Sequence, residues 1–119
     1  MKQLRMIKYE NLYLIKESSN VYMTTLGVFL EDSGGSIDFW KKWALSDSLF
    51  ASGNINHLEK ENNIVFLYMR PGKRNKNLSF SIPVFIELLN RWEELYKQQV
   101  NEIIITLDEQ GNATIEGKD

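Results

Sequence analysis

The segment Ser81–Val100, SIPVFIELLNRWEELYKQQV, decides the fold of this protein because its hydrophobic period is the clearest in the chain. Apolar side chains recur at intervals of three and four residues, which places them on one stripe of an α-helix and the charged residues opposite. Ser81 is a good N-cap, and Pro83 stands in the first turn, where its missing N–H costs nothing. The sequence therefore predicts an amphipathic helix over residues 81–100, and its buried stripe consists of Phe85, Leu88, Leu89, Trp92 and Tyr96.

The N-terminal part of the chain predicts a β-hairpin. Residues Lys8–Glu17 alternate imperfectly, as in a strand buried on both faces, and Ser18-Ser19-Asn20 has the chemistry of a turn. The following stretch Val21–Glu31 is rich in β-branched and aromatic residues, which favour a strand. Gly27 inside that stretch indicates a bulge, or a place where another backbone comes close.

The remaining segments predict a sheet that carries the long helix on one face. Ser36 caps a short aromatic helix over residues 37–45, and Asp108–Asn112 forms the loop of a closing hairpin. Short apolar or alternating runs predict the strands Asn54–Glu59, Ile64–Arg70, Leu78–Ile82, Glu102–Leu107 and Ala113–Gly117. The predicted class is α+β, with one mostly antiparallel sheet and a single domain over residues 1–119.

Composition limits the classes of function. The 119 residues contain no cysteine, which excludes disulfides and thiolate metal sites, and no motif for a cofactor is present. The N-terminus lacks an apolar signal region, so we expect a cytoplasmic protein with no membrane partner. The net charge of −2 is uneven, because the loop 70–77 carries four basic residues and no acid, whereas the rest of the chain is acidic. Nucleic acid is therefore the less favoured ligand.

Two features of the sequence are candidate sites of chemistry, His57 and the basic loop. His57, the one histidine, stands in no spacing typical of a catalytic triad or a metal pair, which favours a structural or surface role. The basic loop contains Arg70, Lys73, Arg74 and Lys76, and with Tyr68 nearby it could hold RNA by charge and stacking. The loop has no aromatic residue of its own, however, and lysine and asparagine are ordinary in a solvated turn.

Acidic and aromatic residues coincide between residues 31 and 61. Phe39, Trp40 and Trp43 give the short helix more aromatic surface than two turns easily bury, so either they form core or one tryptophan is an exposed binding anchor. Acidic loops beside an aromatic anchor suit a basic protein partner. The candidate partner-binding residues are Glu31, Asp32, Asp38, Trp40, Trp43, Asp47, Glu59 and Glu61.

The C-terminal part of the chain resembles a known class of proteins. The segment FSIPVFIELLNRWEELYKQQVNEIIITLDEQGNATIEG combines a strand, a Ser-Ile-Pro helix start, Trp-x-x-Leu-Tyr near the helix end, an isoleucine strand and a Gly-Asn hairpin. It resembles immunity proteins of bacterial contact-dependent growth inhibition and polymorphic toxin systems. The resemblance covers about forty scaffold residues and implies a non-enzymatic protein that blocks a toxin domain, often a nuclease.

Three hypotheses follow from these observations. The leading one is an immunity protein, a monomer or weak dimer, whose acidic and aromatic surface binds a basic toxin domain. The alternative is a small RNA-binding or regulatory module that uses the loop 70–76. An enzyme that works through His57 is the third hypothesis.

Overall fold

The computed structural model describes residues 2–34 and 37–119, which form three α-helices and two antiparallel four-stranded sheets. The elements in chain order are β1 (Lys2–Tyr9), β2 (Leu12–Ser18), α1 (Val21–Ser33), α2 (Ile37–Leu45), β3 (Phe50–Ser52), β4 (Asn56–Glu61), β5 (Ile64–Met69), a 3₁₀ turn (Lys76–Leu78), β6 (Ser79–Ser81), α3 (Ile82–Gln98), β7 (Glu102–Leu107) and β8 (Ala113–Lys118). The α+β class predicted from the sequence is confirmed.

The sheets differ from the single sheet that the sequence predicts. The first sheet has the strand order β2-β1-β7-β8, and the second has the order β3-β4-β5-β6. Helices α1 and α3 each contact strands of both sheets, so the same two helices pack against both sheets. The prediction of one sheet was wrong because strand runs in a sequence do not reveal with which partners they pair.

The long helix forms as its period predicts. It runs over Ile82–Gln98, and the Ser81 hydroxyl accepts a hydrogen bond from the Val84 N–H at 3.3 Å. Gln99 ends the helix in a left-handed conformation. Five side chains of α3 are buried, namely Phe85, Leu88, Leu89, Trp92 and Leu95. The sequence predicted Tyr96 as the last residue of this stripe, but Leu95 is buried there and Tyr96 is only partly buried.

The predicted hairpin of Lys8–Glu17 with Val21–Glu31 is wrong. The hairpin is instead β1 with β2, and Val21–Ser33 is helix α1. Asn20 caps this helix by accepting from the Met23 N–H at 3.0 Å, and apolar residues buried at helical spacing outweigh the β propensity of the stretch. Gly27 marks no bulge. A Cβ there would lie 2.6 Å from Ile15 Cδ1, so glycine allows α1 to approach β2 closely.

Helix α2 forms over the predicted residues 37–45, whereas its predicted cap, Ser36, lies outside the described residues. The C-terminus of α2 contacts the side chain of Lys60 on β4. Lys60 is buried, with 8% of its surface exposed. The Lys60 ammonium donates to the carbonyl oxygens of Trp43 at 2.7 Å, Ala44 at 3.3 Å and Ser46 at 2.6 Å. Burial lowers the pKa of Lys60, and the charge of Asp47 opposes that shift. Lys60 thus satisfies carbonyls that the end of a helix leaves unpaired.

We expect the substitution Lys60→Met to lower the free energy of unfolding by about 2–3 kcal/mol, because hydrogen bonds to a charged donor disappear and the Ala44 and Ser46 carbonyls lose the ammonium as a partner. Urea unfolding of purified protein measures this change. Lys42→Met, at an exposed position of α2, is the matched control and should change stability by less than about 0.5 kcal/mol. Equal stability of the two variants would contradict a capping role for Lys60.

Candidate functional site

The two tryptophans predicted as possible anchors are part of the core. Trp40 and Trp43 are each 6% exposed, and the Trp40 ring packs edge-on against Phe29 with 5.3 Å between ring centroids. The expectation that one of them is exposed was therefore wrong, and the core alternative is correct. Their spacing of three residues puts both on the side of α2 that faces the core. Phe39 leaves that side, is 57% exposed and packs edge-on against Trp40.

The acidic candidates do not form one cluster. Glu31 lies in α1 and accepts a hydrogen bond from the Ile15 N–H of β2 at 2.8 Å. Asp32 accepts from the Asn54 side chain at 3.0 Å, and Asp38 pairs with Lys41 at 3.4 Å on the exposed side of α2. Glu31 is thus committed to the edge of the first sheet, whereas Asp38 is the chain neighbour of Phe39 and Asp32 lies beside Asn54.

Glu59 and Glu61 belong to a different surface, the outer face of the second sheet. They project from β4 on the side opposite to the buried Leu58 and Lys60, and Arg74 of the basic loop pairs with both carboxylates. The Arg74 guanidinium also lies over the Phe66 ring, 4.9 Å from its centroid. The basic loop therefore folds back onto acidic residues that the sequence assigned to the partner surface.

Exposed apolar side chains concentrate in the chain segment that contains α2 and β3. Nine large hydrophobic residues are exposed in the part of the chain that the structure describes, and five of them lie between residues 39 and 55: Phe39, Leu45, Leu49, Phe50 and Ile55. Three others, Tyr9, Leu12 and Leu14, lie on the β1–β2 hairpin. We define the α2 surface as Asp32, Asp38, Phe39, Leu45, Asp47 and Leu49, all of which are exposed at α2 or beside it.

His57 has neighbours that the sequence alone did not indicate. The strand register places it opposite Ser52 of β3 and Tyr68 of β5. The Ser52 hydroxyl lies 2.7 Å from His57 Nδ1 and accepts from Arg70 at 2.6 Å. Tyr68 donates to Glu59 at 2.6 Å, and Glu59 lies 4.0 Å from His57 Nε2.

These residues form a continuous polar and aromatic face. We call it the aromatic face and define it as Phe50, Ser52, His57, Glu59, Phe66, Tyr68, Arg70 and Arg74. Ring centroids of Phe50 and His57 are 5.9 Å apart, and those of His57 and Tyr68 are 5.1 Å apart, so three rings cross three neighbouring strands. Burial and the Glu59 carboxylate raise the pKa of the Tyr68 hydroxyl, which therefore stays a hydrogen-bond donor at neutral pH.

Sequence reasoning missed the aromatic face because its members are far apart in the chain. His57 and Glu59 alternate with buried residues in β4, and Phe66 and Tyr68 do so in β5, and that period of two was the available signal. Alternation shows that His57 and Glu59 share a face, but it does not show that Ser52 and Tyr68 flank His57. That juxtaposition depends on strand register, which is a tertiary property.

Other features of the described residues carry less chemistry. A cleft of about 360 Å³ opens between the start of β1, the 3₁₀ turn and the β7–β8 loop, where Lys2 and Lys76 face Asp108 and Glu109. Over residues 2–34 and 37–119, no three His, Asp or Glu side chains converge as metal ligands. No helix in these two ranges combines the length and the hydropathy needed to cross a bilayer.

Comparison of the chain with protein-family models, with curated proteins and with solved structures finds no match. The resemblance to immunity proteins therefore stays a prediction that rests on the C-terminal segment alone. The α2 surface and the aromatic face are the two candidate sites of function.

Proposed function

We propose that this protein binds and neutralises the toxic domain of a bacterial contact-dependent growth inhibition or polymorphic toxin system. The observation that carries the proposal is the concentration of exposed apolar side chains beside carboxylates at α2. Phe39 is 57% exposed and Leu45 is 74% exposed, and Asp38 and Asp47 stand next to them in the chain. Large exposed apolar groups within a polar rim are typical of protein interaction sites.

The α2 surface suits a basic partner. Its three carboxylates, Asp32, Asp38 and Asp47, outnumber the two lysines of the helix, Lys41 and Lys42, and Lys41 pairs with Asp38. Complementary charge speeds the encounter of two proteins, while buried apolar anchors slow their separation. A nuclease domain presents positive charge where it holds phosphate groups, so carboxylates could occupy that groove and exclude the nucleic acid. On this proposal the protein is an inhibitor and needs no catalytic residue.

Growth rescue tests the proposed function directly. If a neighbouring gene encodes a candidate toxin domain, that domain is expressed from an inducible promoter in a bacterial host, with or without this protein. We expect cell death in its absence and growth in its presence, together with a stable complex of the two purified proteins. Unrelieved toxicity in the presence of well-folded protein would contradict the proposal.

Charge reversal separates steering from anchoring. We expect Asp38→Lys with Asp47→Lys to slow association with a basic toxin domain about tenfold at low salt and to weaken the salt dependence of the association rate. Asp32 is left intact because it holds Asn54. The matched control reverses two exposed carboxylates at the opposite end of the chain, Glu109→Lys with Glu116→Lys. Stopped-flow or surface-based kinetics measures the rates, and equal slowing by both pairs would show a general charge effect rather than a docking surface.

A further inference from the structure

We infer that the aromatic face binds single-stranded nucleic acid. This inference goes beyond toxin neutralisation and does not depend on it, because it concerns the outer face of the second sheet rather than the α2 surface. It rests on three observations, which are an open antiparallel sheet with helices behind it, a row of rings across that sheet, and basic side chains along one rim.

The sheet provides a stacking platform. The helices cover the face of the second sheet that carries Leu58, Val65 and Leu67, and the opposite face holds the ring row of Phe50, His57 and Tyr68. Phe50 is 60% exposed, so one end of the row is open for a base to stack on it. Aromatic rings on a solvent-facing sheet can stack bases of any sequence, because every base has a π-face.

The basic loop provides contacts for phosphate. Its four cations exceed the two acids that it meets on the sheet, Glu59 and Glu61, which leaves an excess of two positive charges (4 − 2). Arg74 pairs with both carboxylates, whereas Arg70 and Lys73 are exposed. Arg70 donates one N–H to Ser52 at 2.6 Å, which holds its guanidinium next to the ring row. The loop has no aromatic residue of its own, but strands β3, β4 and β5 supply aromatic rings beside it.

Polar groups on the face give base edges partners for hydrogen bonds. The Glu59 carboxylate already accepts from Tyr68 and pairs with Arg74, so only its remaining lone pairs can accept from a base, and Ser52 and His57 add a hydroxyl and an imidazole. Duplexes cannot use the ring row, since their bases are already stacked on each other. The ligand is therefore a flexible single strand, and RNA and DNA share the chemistry of bases and phosphates on which this site acts.

Fluorescence anisotropy with labelled oligouridylate and oligothymidylate 12-mers, and a labelled duplex of equal length, tests the inference on the full chain. We expect both single strands to bind more tightly than the duplex. Three to four phosphate contacts predict that log K falls with log salt with a slope of about −2 to −3. Tighter binding of the ribose strand would show that the 2′-hydroxyl is contacted, and equal binding would show that stacking and charge suffice.

Two pairs of variants, each with a matched control, locate the site. Phe50→Ala with His57→Ala should weaken binding about tenfold or more, whereas Phe39→Ala, an equally exposed aromatic on α2, should not. Arg70→Ala with Lys73→Ala should reduce the magnitude of the salt slope by about 1.4, whereas Lys8→Ala with Lys42→Ala should change it much less. Arg74 is kept, since its removal would leave Glu59 and Glu61 unpaired.

Circular dichroism and thermal unfolding confirm that each variant is folded. Three results would overturn the inference: no salt-dependent binding of either 12-mer, a duplex bound as tightly as the single strands, or equal losses from the test pairs and their controls. Toxin neutralisation can fail or succeed independently of all three.

Discussion

We expect the replacement of Trp92 with alanine to lower the free energy of unfolding by about 3–5 kcal/mol, which is the loss typical of a fully buried large aromatic residue that leaves a cavity. Trp92 has no exposed surface and lies at the centre of the α3 stripe. Its ring packs edge-on against Tyr13 of β2 with 5.8 Å between centroids, and against Tyr96 at 5.9 Å. The indole therefore joins the long helix to the first sheet, and chemical denaturation measures its contribution.

Arg91→Ala is the control for this substitution, because Arg91 is the neighbour of Trp92 and pairs with Glu94 on the helix surface, at 2.7 Å. We expect it to cost less than about 0.5 kcal/mol, as surface ion pairs contribute little. A Trp92→Ala protein as stable as Arg91→Ala would mean that the side of α3 facing the sheets has been wrongly assigned.

The second large effect concerns the proposed toxin interface. Phe39→Ala with Leu45→Ala should speed dissociation of a bound toxin domain about 100-fold or more, because buried apolar anchors each contribute about 2 kcal/mol or more to binding. Both side chains are exposed in the free protein, so the double variant should keep its stability. Dissociation rates of the purified complex, measured beside a thermal unfolding curve for each variant, test this expectation.

Phe50→Ala is the matched control, since Phe50 is 60% exposed but lies on the aromatic face rather than on α2. The same control variant is a test variant for nucleic-acid binding. If Phe50→Ala alone speeds dissociation of the toxin while the α2 pair does not, the toxin docks on the aromatic face and the role proposed for α2 is wrong.

Local sequence determined the elements whose periodicity and caps agree. Helix α3 follows from its 3.6-residue period together with Ser81 and Pro83, and strand β7 follows from a compact isoleucine run. Helix α2 was predicted over its full length for the same reason. In each case the residues that determine the element lie within that element or next to it, so it could be predicted without knowledge of distant contacts.

Local sequence failed where two signals compete. The stretch Val21–Glu31 has the β-branched and aromatic composition of a strand, and it also has apolar residues at helical spacing and Asn20 as a cap. The helix prevails because α1 buries Met23, Leu26 and Leu30 against both sheets and because Gly27 permits close contact with β2. Burial of this kind is decided by distant strands, which a propensity scale does not include.

Periodicity along the chain determined the α+β class, composition determined the absence of cysteine chemistry, and residue order showed four cations in one loop. Only the tertiary structure decided what surrounds each candidate residue. Strand register brought Ser52, His57 and Tyr68 side by side, and the folding back of the loop placed Arg74 on Glu59 and Glu61. It also buried Trp40 and Trp43 and left Phe39 exposed. The physical reason is that period sets which face of an element a side chain occupies, whereas pairing and packing set what that face meets.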